Sequence, residues 1–173
     1  MSDRVVIVEP DPVWTEKFDG VCAGLRAALG ARVLGVEHIG STAVPGLAAK
    51  PIIDVLVGLA SMAEVFAAVP ALEAVGWEFP DSINRDLSER RFGKQVENGV
   101  RTNHVHLVVH RGGEWTALLA FRDALRADPD LARRYEELKR DLAARYADER
   151  EKYTAAKTEF VRGVLARLAA KRG

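Results

Sequence analysis

HIGSTAVPGLAAKPIIDVLV, residues 38–57, joins two apolar runs through a loop dense in special backbone. Gly40-Ser41-Thr42 opens the loop, Pro45-Gly46 bends it and Lys50-Pro51 closes it. Asp54 then stands inside the run Pro51-Ile-Ile-Asp-Val-Leu-Val57. Branched aliphatic residues on both sides of Asp54 predict a strand in the interior of a sheet. A carboxylate there is costly unless it is paired, protonated or bound to a metal. The plain alternative is that Asp54 faces the sheet edge or caps a helix. A Gly-Ser turn leaving a strand lets backbone approach a phosphate closely, with N–H and hydroxyl donors at hand. The same dipeptide is common in ordinary turns.

Working outward, Arg4 to Val8 reads as a short strand, and Asp11-Pro12 as a cap followed by proline at the first helical position. Trp14, Phe18, Val21, Cys22, Leu25 and Leu29 recur at helical spacing up to a stop at Gly30. Ala31 to Ile39 reads as a strand. Ser61 with Glu64 predicts a capping box opening a helix that closes at Gly76, followed by a short strand at Trp77 to Phe79. Arg90 to Val96 and Thr102 to Val109 flank Asn98-Gly99, a hairpin signal. Beyond Gly113 the pattern is helical: Trp115 to Arg126, a new start at Asp128-Pro129, and a break near Asp148 and Glu151. An apolar row from Leu131 through Tyr135, Leu142, Tyr153 and Phe160 to Leu168 marks one face of this tail. The expected architecture is α+β, a mixed sheet with flanking helices and a helical C-terminal third. Residues 1–173 are read as one domain, with 1–113 the sheet-bearing core and 114–173 the helical part.

The second chemical stretch is Arg101-Thr-Asn-His-Val-His-Leu-Val-Val-His110. In a strand, alternate residues share a face, so His104, His106 and Val108 point one way, and His110 extends the row if the strand runs that far. Two imidazoles at this spacing suit a metal or a phosphate, and a pair of stacked surface histidines is the structural alternative. His38, just before the Gly-Ser turn, is a candidate for the same site. Lys50, Arg90, Arg91, Lys94 and Arg101 lie where they frame an anion or protect an edge strand.

Lys and Arg total 25 and Asp and Glu 25 in 173 residues, so no global charge steers the chain to nucleic acid or anionic lipid. The single cysteine, Cys22, excludes an internal disulfide and falls within an apolar helical row, where a buried, inert thiol is expected. No run reaches a membrane span, and the first residues lack the plan of a signal peptide, so a cytoplasmic location is expected. Neither a membrane nor a nucleic-acid partner is expected, and the oligomeric state is left open.

His38 to Asp54, together with Arg101-Thr-Asn-His-Val-His106 and Tyr153-Thr-Ala-Ala-Lys157-Thr-Glu-Phe160, closely resembles the GrpB family of small bacterial proteins. That family belongs to the nucleotidyltransferase superfamily, with its DNA polymerase β-like fold. The resemblance implies a nucleotidyltransferase-like protein that moves a nucleotidyl group from a nucleoside triphosphate to a small acceptor. Superfamily members carry Gly-Ser, then Asp-x-Asp or Asp-x-Glu on a strand, then a third carboxylate on a later strand. These acids hold two divalent ions that clamp the triphosphate. Gly40, Ser41 and Asp54 match. Leu56 stands where the second acid belongs, and no Asp or Glu lies between Arg101 and His110.

By resemblance, then, Gly40, Ser41 and Thr42 hold phosphates while Lys50, Arg101 and Lys157 neutralise charge. Asp54, His104 and His106 bind a divalent metal or supply acid–base groups. One carboxylate with two imidazoles serves magnesium poorly and suits zinc, manganese or iron better. The alternative is a cleft that holds a nucleotide or phosphorylated metabolite without catalysis.

Overall fold

The computed structural model describes residues 4–170. Helix α1 (Val13–Leu29) leads to strand β1 (Gly35–Ile39), the signature loop and strand β2 (Ile53–Leu59). Helices α2 (Met62–Glu73) and α3 (Asp81–Asn84) precede strands β3 (Arg90–Glu97) and β4 (Val100–Val109). Helices α4 (Gly113–Ala127), α5 (Pro129–Arg145) and α6 (Arg150–Ala170) complete the chain. The mixed α+β plan is therefore as expected, and no helix among the described residues is long and apolar enough to cross a membrane.

The sheet runs in the order β1-β2-β4-β3, with β2 and β4 parallel and both outer pairs antiparallel. Asp54 thus lies on an interior strand, opposite Ile39 on one side and His104 on the other. One face of the sheet carries Ile53, Val55, Val57, Leu59, Val105 and Leu107, packed with Trp14, Leu25, Val65 and Leu72 of α1 and α2. The opposite face is divided. Ile39, Leu56 and Val108 pack against Trp115 of α4, whereas Asp54, His104 and His106 line a cavity. Gly35 and Gly58 are partners across β1 and β2, and a methyl on either would stand within 2.9 Å of the Trp115 ring. Their bare backbone lets α4 close on that end of the sheet.

Several local signals hold. Asp11 Oδ1 accepts from Val13 N at 3.0 Å, and Ser61 Oγ accepts from Glu64 N at 3.3 Å. Asp128 Oδ1 accepts from Asp130 N and Leu131 N, both at 3.0 Å, ahead of Pro129. Asn98 and Gly99 both have positive φ, 52° and 78°, as the primed turn of a tight hairpin requires. The helical tail breaks between Tyr146 and Glu149, where expected.

Other expectations need correction. Arg4 to Val8 forms no strand; only Val8 pairs, in a single bridge to Ala49. Residues 30–32 are a 3-10 turn, so β1 begins at Gly35 rather than at Ala31. The short strand at Trp77 to Phe79 is one bridge, Glu78 to Lys94. In each case the β-forming composition lacks a continuous neighbouring strand, and strand propensity without a partner forms no ladder. The apolar row of the tail needs no correction: it forms one face as expected and packs inward, with Leu131, Tyr135, Leu142 and Tyr153 buried.

Candidate functional site

The site starts at Gly40, whose φ of 71° and ψ of −173° lie outside the range of other residues. This conformation turns the chain off β1 beside the Asp54 side chain. Ser41–Ala43 then makes one 3-10 turn. Thr42 Oγ1 stands 2.9 Å from His38 Nε2 and 3.4 Å from Ile52 O. The hydroxyl donates to the carbonyl and accepts from the imidazole, so the oxygen expected to meet a phosphate is engaged inside the turn.

His38 itself lies behind the site, stacked on Phe18 with centroids 4.6 Å apart and planes 7° from parallel. Burial pushes its pKa down to about 4; Asp54 opposes that shift, and Arg126 and Arg122 add to it. His38 is therefore neutral at pH 7 and acts as a strut for the turn.

The rest of the loop is held by the helical third. Arg126 donates from Nε and NH2 to Ala43 O at 2.9 and 2.7 Å, and Arg122 donates to His38 O at 3.0 Å and to Glu37 at 2.7 Å. Helix α5 takes both backbone groups of one loop residue: Ala48 N donates to Glu136 Oε2 at 2.9 Å, and Lys139 Nζ donates to Ala48 O. These bonds fix Lys50 at the entrance to β2.

Asp54 is the centre of a small cluster. His104 Nδ1 lies 2.9 Å from Asp54 Oδ1, and His106 Nε2 stands 3.6 Å from the same oxygen. Burial works against the ionised carboxylate, but the hydrogen bond from His104 and the approach of His106 outweigh it. The carboxyl is held well below the usual carboxylate range. An ionised carboxylate only accepts, so His104 carries its proton on Nδ1. Burial lowers the pKa of His104, Asp54 opposing, and the ring is neutral. His104 Nε2 and His106 Nδ1 are buried without hydrogen-bond partners among the described residues. Both rings meet Phe92 edge-on, at 4.9 and 5.4 Å.

Asp54, His104 and His106 face a cavity of about 810 Å³ between the sheet, α3 and the two C-terminal helices. It brings together Gly40, Ser41, Thr42, Lys50, Arg101 and Lys157. Of the hairpin bases, Arg90 and Lys94 line it, whereas Arg91 turns to the opposite face and lies over Phe66 at 4.3 Å. His110 sits beyond the end of β4 against Trp115, at 4.8 Å, and takes no part.

Sequence reasoning missed one wall. Tyr135 and Lys139 of α5 and Arg150 and Tyr153 of α6 all line the cavity. Tyr135 is 4% exposed, in hydrogen-bond contact with Ser41, its phenol pushed upward by burial. Lys139 is 2% exposed, and burial with the charge of Lys157 brings its ammonium down to about 7. The available signal was the row Leu131, Tyr135, Lys139, Leu142, in which a lysine occupies an apolar position of the helix.

The residues present do not make the two-metal centre of the superfamily pattern. Leu56, at the second acidic position, is fully buried against Ile39, Val108 and Trp115. No group of three or more His, Cys, Asp or Glu side chains among the described residues is placed to hold a metal ion. Asp54, His104 and His106, expected as a metal set or as acid–base groups, are joined by hydrogen bonding and close approach. Cys22 is not involved; burial raises its thiol to about 11.

Residues 4–167 match the family model described as GrpB protein. A UPF0157 protein of Pseudomonas aeruginosa is 41% identical over 171 residues, covering 98% of this chain and 69% of that protein. The glutamate-rich protein GrpB of Alkalihalophilus pseudofirmus is 34% identical, covering 94% of each. A dephospho-CoA kinase of Mycolicibacterium paratuberculosis is 30% identical over 94% of this chain but only 46% of its own length. Among solved structures, conserved protein GrpB from Enterococcus faecalis superposes with a TM-score of 0.80 at 35% identity, over 94% of this chain and 99% of that one. The Cid1 poly(U) polymerase superposes with a TM-score of 0.52 at 16% identity, over 84% of this chain and 45% of the polymerase, a likeness of fold. This chain belongs to the GrpB family.

Proposed function

We propose that this GrpB-family protein binds a nucleotide or another phosphorylated small molecule in the cleft over β2 and β4. Charge carries the reading: seven Lys or Arg side chains line the cavity against two carboxylates, Asp54 and Glu151. Although Arg90 and Lys94 pair with Glu114 and Glu78, the basic side chains still outnumber the acids. In a protein whose charges balance overall, that local excess marks a site for an anion. Its volume suits a nucleotide-sized ligand. Phe92, Ile83 and Leu87 offer an apolar wall, and Lys50 and Lys157 meet at Tyr153 of α6.

Nucleotidyl transfer to a small acceptor is the second reading. It is favoured by Asp54, which stays ionised beside the Gly40 turn with its side chain 25% exposed. The likeness to a polymerase fold supports only the architecture in which such chemistry occurs.

The test is thermal unfolding against ATP, GTP, CTP and UTP, with dephospho-CoA added because one relative carries that kinase's name. A ligand at a hundred times its dissociation constant stabilises by about 2.7 kcal/mol. Stabilisation by one of these, reduced in Lys157→Met, supports the binding reading. Absence of any shift at millimolar concentrations would sink it. Product formation that disappears in Asp54→Asn, with binding kept, separates transfer from binding alone.

A further inference from the structure

We propose that the cleft takes its ligand as a metal-free phosphate anion, neutralised by Lys50 and Lys157 at the Tyr153 ring with Lys139 beside Tyr135, and not as a magnesium complex. The inference rests on the phosphate-binding reading above and specifies the charge state of the ligand.

Lys50 follows the signature loop and Lys157 lies one turn along α6 from Tyr153, yet both ammonium groups stand 5.0 Å from the centroid of the same ring. Lys139 of α5 lies 5.1 Å from the centroid of the Tyr135 ring and lines the same cavity, where the charge of Lys157 depresses its own. The signature loop, α5 and α6 therefore each bring a lysine to the one cavity. Tyr153 is fully buried there, and its hydroxyl has no hydrogen-bond partner among the described residues. A buried hydroxyl left unpaired is costly, and a phosphate oxygen near these ammonium groups would accept a hydrogen bond from it.

On the sheet side, a magnesium complex finds a poor match. The ion prefers several oxygen ligands in octahedral array. Asp54 offers one carboxylate whose Oδ1 already accepts from His104, and the second acidic position is the buried Leu56. The ammonium groups of Lys50 and Lys157 disfavour a divalent cation arriving with the phosphates, whereas they attract the bare anion. A phosphate dianion would also favour the charged form of Lys139, which burial and Lys157 now oppose while Glu136 supports it and Arg140 does not. Binding therefore takes up a proton near neutral pH.

The experiment is isothermal titration of the full chain with inorganic triphosphate and with ATP, in excess chelator and again with magnesium sufficient to complex the anion. Binding is expected with chelator present and weakened about tenfold or more by magnesium. Lys50→Met and Lys157→Met should each weaken it about tenfold, with unfolding midpoints confirming that both variants are folded. Heats measured in two buffers of different ionisation enthalpy should show proton uptake that is lost in Lys139→Met. Binding that requires magnesium would overturn this inference alone. No binding under either condition would overturn the phosphate reading and this inference with it.

Discussion

A methyl group on Gly40 would stand 2.5 Å from Asp54 Oδ2 and 3.0 Å from its Cγ and Cβ. The turn and the carboxylate are thus fitted to one another, and the glycine is required twice, for its positive φ and for this approach. Gly40→Ala should destabilise by roughly 1–3 kcal/mol from backbone strain alone, with displacement of Asp54 in addition. Urea unfolding measures the loss. Trimming the partner relieves part of the clash, so Gly40→Ala with Asp54→Ala should be non-additive by about 0.5–3 kcal/mol. Simple additivity would show that the two residues are not in contact.

Acid should loosen the turn through His38. Its pKa is brought from 6.5 to about 4 in the folded protein. Between those values the unfolded chain binds more protons, so stability is lost as pH falls through this window. The slope from this group stays below about 1.4 kcal/mol per pH unit, its limit for a single titrating proton. His38→Gln should flatten the stability profile between pH 6.5 and 4. Proton NMR of the His38 ring gives the pKa directly, and an ordinary value would refute the account.

Asn84 acts as a neighbouring strand for the outer edge of β3. Its side-chain amide donates to Phe92 O at 2.9 Å and to Pro80 O at 3.0 Å, and its Oδ1 accepts from Phe92 N at 2.8 Å. Being 8% exposed, it cannot be replaced there by water without rearrangement. Asn84→Ala should cost about 1–3 kcal/mol and expose the Phe92 amide to hydrogen exchange. If that amide exchanges no faster in the variant, the bond is not what shields it.

The parts of this architecture legible in the sequence are those decided within a few residues. Asp128 ahead of Pro129, Asn98-Gly99 and the aliphatic flanks of Asp54 each contain their own physical cause. The apolar Arg4 to Val8 segment does not, because a strand needs a neighbour and among the described residues it meets a bridge at Ala49 and a single bond to Ala147 O. The same division holds for the site. Asp54, His104 and His106 stand out by their pattern in strands and Gly40 in the turn that leaves one, whereas Tyr153 and Tyr135 look like ordinary members of a helical stripe. Their place in the cleft depends on how α5 and α6 cross the sheet, which helical periodicity does not specify. Lys139 was the visible anomaly, a cation in an apolar row.

That anomaly carries a pH signature of opposite reach to His38. Burial, aided by the charge of Lys157, brings the Lys139 ammonium from 10.5 to about 7 in the fold, whereas the unfolded chain keeps its proton until near 10.5. From pH 7 upward the unfolded state therefore binds more protons, and stability rises with pH. The rise amounts to at most about 1.4 kcal/mol per unit. Cys22 has the opposite sign, because its thiol is raised from 9.0 to about 11 and the unfolded chain loses that proton first, so its effect begins near pH 9. The clean window is pH 7 to 9. Urea midpoints across it should climb in the wild type and stay level in Lys139→Met. Lys139→Met also leaves Ala48 O without its donor, a penalty of about 1–3 kcal/mol that does not vary with pH. The two effects are thus separable: the offset between the curves reports the lost hydrogen bond, and their divergence reports the buried ammonium. Parallel curves would mean that Lys139 keeps its proton throughout, and that the cleft stabilises its charge by a route other than the carbonyl of Ala48.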